Sequence, residues 1–212
     1  DGPRPLSAER YHTNVARRML SLVSATTSSG RLYSIDARLR PNGRAGLLVS
    51  SIDAFNRYQL EEAWVWELQA LTRARPFAGD TQTASKFESI RQSVLTMARD
   101  TTFIKSEVLE MRERIRNEHG MTNALKHGHG GLLDIEFIVQ LGLLINACEY
   151  PEVIKSTQTG SQLKALHDCG WIDSNIFKTL DSAYAQLSHA RLQAELVDDS
   201  AGHENTQLLG IA

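Results

Sequence analysis

Leu32-Tyr33-Ser34-Ile35-Asp36-Ala37-Arg38-Leu39-Arg40-Pro41 is the stretch on which the reading of this 212-residue chain turns. Its residues alternate. On an extended strand Leu32, Ser34, Asp36 and Arg38 share one face, and Tyr33, Ile35, Ala37 and Leu39 share the other. The pattern predicts a strand from Leu32 to Leu39 that packs its apolar set inward and presents Asp36 and Arg38 together, with Arg40 in line if the strand persists. A carboxylate beside guanidinium groups on a rigid strand suits a metal–phosphate site, because the acid can hold a divalent cation and the arginines can meet phosphate oxygens. The same residues also describe an edge strand with a surface Asp–Arg pair. Alternation alone does not choose between them.

Working outward, Ser7 is placed to cap a helix reaching Thr26, with Tyr11, Val15, Met19, Leu22 and Val23 as its apolar stripe. Thr27-Ser28-Ser29-Gly30 ends it. After the loop from Pro41 to Gly46 comes a short extended piece, Leu47 to Val49. Ser51 caps a second helix with Phe55, Tyr58 and Gln59 on one side. A third runs from Glu62 to Arg73 with Trp64, Leu68 and Leu71 on one face. Pro76 to Asp80 interrupts two helical patterns and marks the expected division into residues 1–78 and 79–212. Beyond it, Thr83 to Ala98, Thr102 to Glu118, Leu133 to Cys148, Ser161 to Asp168 and Ser174 to Leu196 all carry helical spacing, which predicts an antiparallel bundle. The expected class is α+β: an incomplete α/β unit followed by an all-helical bundle.

Composition narrows the field. A formal net charge of −2 provides no polyanion-binding surface, and no basic run marks a nucleic-acid arm, so nucleic acid is not expected as a partner. Cys148 and Cys169 lack metal-ligand spacing and read as reduced core thiols. No signal peptide is visible and no apolar run is read as membrane-spanning, so the expectation is a cytoplasmic protein with no membrane partner. Asp1-Gly2-Pro3-Arg4-Pro5 and Leu208-Leu209-Gly210-Ile211-Ala212 read as cuts, and the chain is expected to be a piece of a longer polypeptide.

Two further constellations carry candidate chemistry. Glu62 to Arg75 mixes tryptophans, acids and arginines. There Trp64 and Trp66 read as core or boundary aromatics, Glu67 with Arg73 or Arg75 as a buried ion pair, and Arg73 also as a phosphate ligand. Lys126-His127-Gly128-His129-Gly130-Gly131 opens onto a helix, so the N–H groups of Gly130 and Gly131 could face an anion with Lys126 adding charge. Asp134 and Glu136 favour the helix dipole, and only one of them can point at the glycine loop. His127 and His129 lack a third ligand and read as loop residues.

Tyr33-Ser34-Ile35-Asp36-Ala37-Arg38-Leu39-Arg40-Pro41-Asn42-Gly43 is followed by Gly46-Leu47-Leu48-Val49-Ser50-Ser51, by Ala54-Phe55 with Tyr58-Gln59, and by Glu62-Ala63-Trp64-Val65-Trp66-Glu67. Gly130-Gly131-Leu132-Leu133-Asp134-Ile135-Glu136-Phe137 comes later. In that order, these blocks resemble the glutamine synthetase adenylyltransferase family. The resemblance spans residues 32 to 140. It implies a nucleotidyltransferase-type α/β unit, transfer of AMP from ATP to a tyrosine of glutamine synthetase, and Mg2+ as cofactor. It also implies, as partners, glutamine synthetase, the PII signal protein and the other half of the same polypeptide.

Within that family Asp36 matches the third metal-binding carboxylate, which makes it the implied catalytic and metal residue. By their own chemistry Arg38 and Arg40 are candidate ATP contacts or a salt bridge that orients Asp36, Arg73 is a second-choice phosphate ligand, and Lys126, Gly130 and Gly131 are further candidates. The family's acidic pair, an Asp-x-Asp after a Gly-Ser turn, does not occur in this sequence; its strands are expected upstream. Because two-metal chemistry needs both cations clamped, this chain by itself is expected to be inactive. Asp36-Ala37-Arg38 and Glu62-Ala63-Trp64 resemble the carboxy-terminal, adenylylating half. The deadenylylating half and a non-catalytic module that binds glutamine synthetase or PII remain the alternatives.

Overall fold

The computed structural model describes the backbone of residues 6–28, 30–31, 35–37, 40–41, 46–119 and 123–208, and the side chains among these except at 31, 195 and 197–208. The chain forms two compact units: Asp1–Ala70 with Pro76–Val94, and Leu71–Arg75 with Leu95–Ala212.

The first unit begins with α1, Ala8–Val23, whose amide at Arg10 donates to the Ser7 hydroxyl at 3.3 Å. That cap satisfies one of the donors a helix start leaves open. The stripe Tyr11, Val15, Met19, Leu22 and Val23 is exposed, and α1 buries no residue. Two short strands follow, β1 (Thr26–Thr27) and β2 (Gly30–Arg31), paired antiparallel. Ile35, Asp36 and Ala37 are in neither helix nor strand. Ile35 is 41% exposed, so the expected inward packing of the apolar set fails at this residue. A strand holds its faces only by pairing with a neighbour, and among the described residues β1 and β2 pair with each other alone. The remainder of the Leu32–Leu39 stretch, Arg38 included, lies outside the described residues.

Helix α2 is Ile52–Glu61, capped by the Ser51 hydroxyl, which accepts from the Ala54 amide at 3.2 Å. It buries Tyr58 and Gln59 as its spacing predicts. Helix α3 is Val65–Arg73. Trp64 was expected on its buried face, yet it precedes the first turn and is 66% exposed. Its amide donates to Glu67 Oε2 at 3.0 Å, so Glu67 reaches back over the helix start in the manner of half a capping box. Helix α4, Thr81–Leu95, carries Phe87, whose ring stacks on Phe55 of α2 at a centroid distance of 5.5 Å. That contact ties α4 to the first unit, whereas the division expected at 78/79 places it with the bundle.

The second unit is helical: α5 (Thr101–His119), α6 (Ala124–His127), α7 (Leu132–Asn146), a 3-10 turn (Pro151–Ile154), α8 (Thr159–Asp168) and α9 (Ser174–Leu208). Helix α7 is its centre and touches α5, α6, α8, α9 and the 3-10 turn. It buries Leu132, Ile135, Phe137, Val139, Gln140, Gly142, Leu143 and Leu144, the pattern of a helix surrounded by others. At Gly142 a Cβ would stand 2.5 Å from Cζ3 of Trp171, so only glycine lets that ring lie against the helix.

By length and composition Ala124–Asn146 is apolar enough to cross a membrane, contrary to the expectation that no run would be. The glycine loop breaks it into α6 and α7, and the 15 residues of α7 fall short of the roughly 20 a span needs. It is a core helix. Cys148 and Cys169 are free thiols, but Cys148 is exposed rather than a core residue, because it lies in the turn just past α7.

Candidate functional site

In the first unit the candidate residues lie on the loop that follows β2. Asp36 is exposed. Arg40 is half-buried and folds back on its own loop: Nε donates to the Gly46 carbonyl at 3.2 Å and Nη1 to the carbonyl of Ala37, the residue next to Asp36. Here a guanidinium clamps two backbone carbonyls and fixes the chain beside the acid. A cavity of about 280 Å³ adjoins this loop, lined by Pro41, Leu47, Ser50, Arg57, Tyr58 and Glu62 among others. Beneath it, the buried hydroxyl of Tyr58 donates to the Glu67 carboxylate, 2.9 Å from each oxygen. The Glu67–Arg73 or Glu67–Arg75 pair expected from sequence therefore does not form. A tyrosine hydroxyl and an amide satisfy Glu67 instead.

Arg73 has another partner. Its Nη1 lies 2.9 Å from Glu136 Oε2 on α7. The pair borders a cavity of about 260 Å³ into which Tyr184, Ser188 and Arg191 of α9 also open. Arg73 stays 43% exposed, which leaves its guanidinium accessible for further contacts.

The other acid at the start of α7 does something different. Asp134 Oδ2 accepts the Gly130 amide at 2.7 Å, and Oδ1 accepts Arg112 Nε at 2.5 Å and Arg116 Nη2 at 3.3 Å. Arg112 Nη2 also donates to the carbonyls of His127 at 2.9 Å and Gly128 at 3.3 Å. One carboxylate thus joins α5, the glycine loop and the first turn of α7. As helix geometry requires, only Asp134 faces the loop while Glu136 turns towards Arg73.

The glycine loop closes on itself. The Gly131 amide donates to the Gly128 carbonyl at 3.1 Å, and Gly130 sits at φ +72°, where a side chain is strained. A Cβ at Gly131 would approach the Leu125, Gly128 and Lys126 carbonyl oxygens at 2.9 to 3.0 Å. The two glycine amides that an anion would use are both engaged, Gly131 within the loop and Gly130 by the Asp134 carboxylate of α7. Lys126 is half-buried in α6, with its amide held by the Asn123 side chain at 3.2 Å. The His127 ring lies 5.1 Å from that of His119. Burial foremost, then the charges of Lys126, His119 and Arg112, lowers the His127 pKa below 6.5.

Arg112 and Arg116 were missed by the sequence reading. A signal was available: Ile104, Val108, Arg112 and Arg116 recur every fourth residue, so the buried row of α5 passes from aliphatic to cationic. A cation that continues an apolar stripe implies a buried anion opposite.

Asp36 is one carboxylate, and among the described residues no group of three or more His, Cys, Asp or Glu could hold a metal ion. These residues alone do not build a two-cation site, and no catalytic step is derived through one.

Residues 1–90 match the model of the glutamate–ammonia ligase adenylyltransferase family, and residues 102–205 match that of GlnD PII-uridylyltransferase. The chain is 44% identical over 190 residues, 87% of its length, to the bifunctional glutamine synthetase adenylyltransferase/adenylyl-removing enzyme of Methylococcus capsulatus. It is 43% identical over 205 residues to the Burkholderia mallei enzyme of that name, and 40% over 200 residues to one from Xanthomonas campestris, each alignment covering 92% of this chain. The chain spans about a fifth of the length of these relatives, since 20%, 22% and 21% of them are covered. The two matched ranges of the chain meet between residues 90 and 102, where its compact units also change over, at Val94 and Leu95.

Proposed function

We propose that this chain is part of an enzyme that transfers AMP from ATP to a tyrosine of glutamine synthetase, and that it supplies the Asp36 edge of a nucleotidyltransferase α/β unit together with the helical unit that follows. The observation that carries this is the position of Asp36: exposed, beside the Arg40-clamped loop, and inside the range matched by the family model. The names of the relatives supply the substrate protein.

In this reading the residues of the chain position rather than react. Arg40 holds the loop that presents Asp36, and Arg73 offers a partly exposed guanidinium suited to a phosphate oxygen. Mg2+ would supply charge neutralisation at the phosphates, with Asp36 as one of its ligands and the others contributed from outside this sequence. The PII signal protein as a second partner, and a cytoplasmic setting, belong to the same proposal.

The test is a replacement. The matching segment of the Methylococcus capsulatus enzyme is exchanged for this chain, with and without Asp36→Asn, and incubated with Mg·ATP and unmodified glutamine synthetase. The intact mass of the synthetase is then read. An AMP adduct that Asp36→Asn abolishes supports the proposal. An adduct that survives the substitution removes Asp36 from the site. If the adduct is unaffected but AMP removal in the presence of phosphate is lost, the segment serves the adenylyl-removing activity. The chain alone is expected to give no adduct.

A further inference from the structure

We propose that the cavity between α5, α7 and α9 in the second unit binds a small amphiphilic carboxylate. The cavity measures about 480 Å³. Val108, Ile135, Phe137, Leu141, Leu180 and Ala183 contribute apolar walls, and Arg112, Arg116 and Asp134 form its polar end. Neither Asp36 nor the Arg73–Glu136 pair lines this cavity, and the proposal does not depend on the adenylyl-transfer reading.

Hydrogen bonding among these residues is incomplete. The Arg112 side chain is only 6% exposed, Arg116 19% and Asp134 21%, so two guanidinium groups share one carboxylate away from bulk water. The second partner of Arg116, Glu113, is 60% exposed and therefore screened by solvent. Arg112 Nη1 and Arg116 Nε are buried with no hydrogen-bond partner. A buried charged donor left without an acceptor is costly, and a carboxylate provides that acceptor. Asp134 does not meet these two atoms: its oxygens accept from Arg112 Nε, Arg116 Nη2 and the Gly130 amide.

The walls define the rest of the ligand. Water could satisfy the two donors, but it needs two to four polar partners and would gain nothing from the aliphatic remainder. An alkyl or aryl body displaces water from that surface and is favoured in proportion to the area covered. A polar head held by arginines and an apolar body held by three helices together describe an amphiphilic monoanion. Because Asp134 also holds Gly130, occupancy bears directly on the glycine loop.

Octanoate is the probe, with 1-octanol as its uncharged counterpart. Calorimetric titration of the whole chain is expected to show saturable one-to-one binding of octanoate, at least tenfold tighter than octanol. Protection of the Gly130 amide from hydrogen exchange is expected to change on binding. Ala183 of α9 and Ile138 of α7 both line the cavity; Ala183→Phe and Ile138→Trp should fill it, and each is expected to weaken octanoate at least tenfold while circular dichroism reports an intact helical fold. If one of them unfolds, the other decides. Arg116→Gln is expected to erase the preference for octanoate over octanol. Absence of saturable octanoate binding, equal binding of the two probes, or unaltered binding in the folded cavity-filling variants would each overturn the proposal.

Discussion

Arg112 and Asp134 stand 22 residues apart in sequence and form a 2.5 Å ion pair at the join between α5, the glycine loop and α7. The arginine is almost wholly buried and also donates to the carbonyls of His127 and Gly128. Arg112→Met should destabilise the second unit by about 3–5 kcal/mol, because it takes the nearest cation from a half-buried carboxylate and removes a donor from the His127 and Gly128 carbonyls. Urea unfolding followed by circular dichroism measures this. Arg114→Met serves as the control. Its pair with Glu110 is 58% and 68% exposed on the two sides, and its loss should cost less than about 1 kcal/mol.

Glu67 is buried and accepts from the Tyr58 hydroxyl and the Trp64 amide. Tyr58→Phe should cost about 1–3 kcal/mol, since it leaves the carboxylate with one donor fewer in a buried setting. Glu67→Ala should cost more, because it also opens a cavity and uncaps α3. Thermal unfolding of the two variants gives the order.

Gly142 faces the Trp171 ring, and an added Cβ would stand 2.5 Å from it and 2.8 Å from Leu166 Cδ1. Gly142→Ala should therefore destabilise by about 1–3 kcal/mol despite its better helix propensity. The ring must shift, so Trp171 emission should change when Trp64 and Trp66 are replaced by Phe to isolate it.

His127 is held below its ordinary pKa of 6.5, chiefly by burial. Its unfolded state therefore binds a proton more readily than its folded state. The stability this residue contributes is present above pH 6.5 and is lost as pH falls through the folded value. Unfolding free energy should decline as pH falls from 7 towards 5, and His127→Gln should flatten that slope. Urea midpoints across this range provide the check.

What the sequence showed depended on the range of each interaction. Ser7 and Ser51 could be read as caps because an N-cap and the amide it serves lie three residues apart. The split between Asp134 and Glu136 followed from helix geometry alone. The partnership of Arg112 with Asp134 crosses two elements and leaves no local mark beyond a cation in an aliphatic row. Trp64 was misplaced because helix α3 starts at Val65, three residues after the expected Glu62, and Glu67 spends its carboxylate on that start. Ile35 stands exposed because alternation describes the faces of a strand but cannot supply its neighbour. As for the site, Asp36 and Arg40 could be picked out by motif, but the use of Arg40 on carbonyls of its own loop could not.

The exposed stripe of α1 should make this chain surface-active. A 16-residue helix with Tyr11, Val15, Met19, Leu22 and Val23 facing solvent behaves as a tethered surfactant. Preparations should lose material to filters and plastic, foam on agitation and scatter more light as they are concentrated. A non-ionic detergent above its micelle concentration should suppress all three.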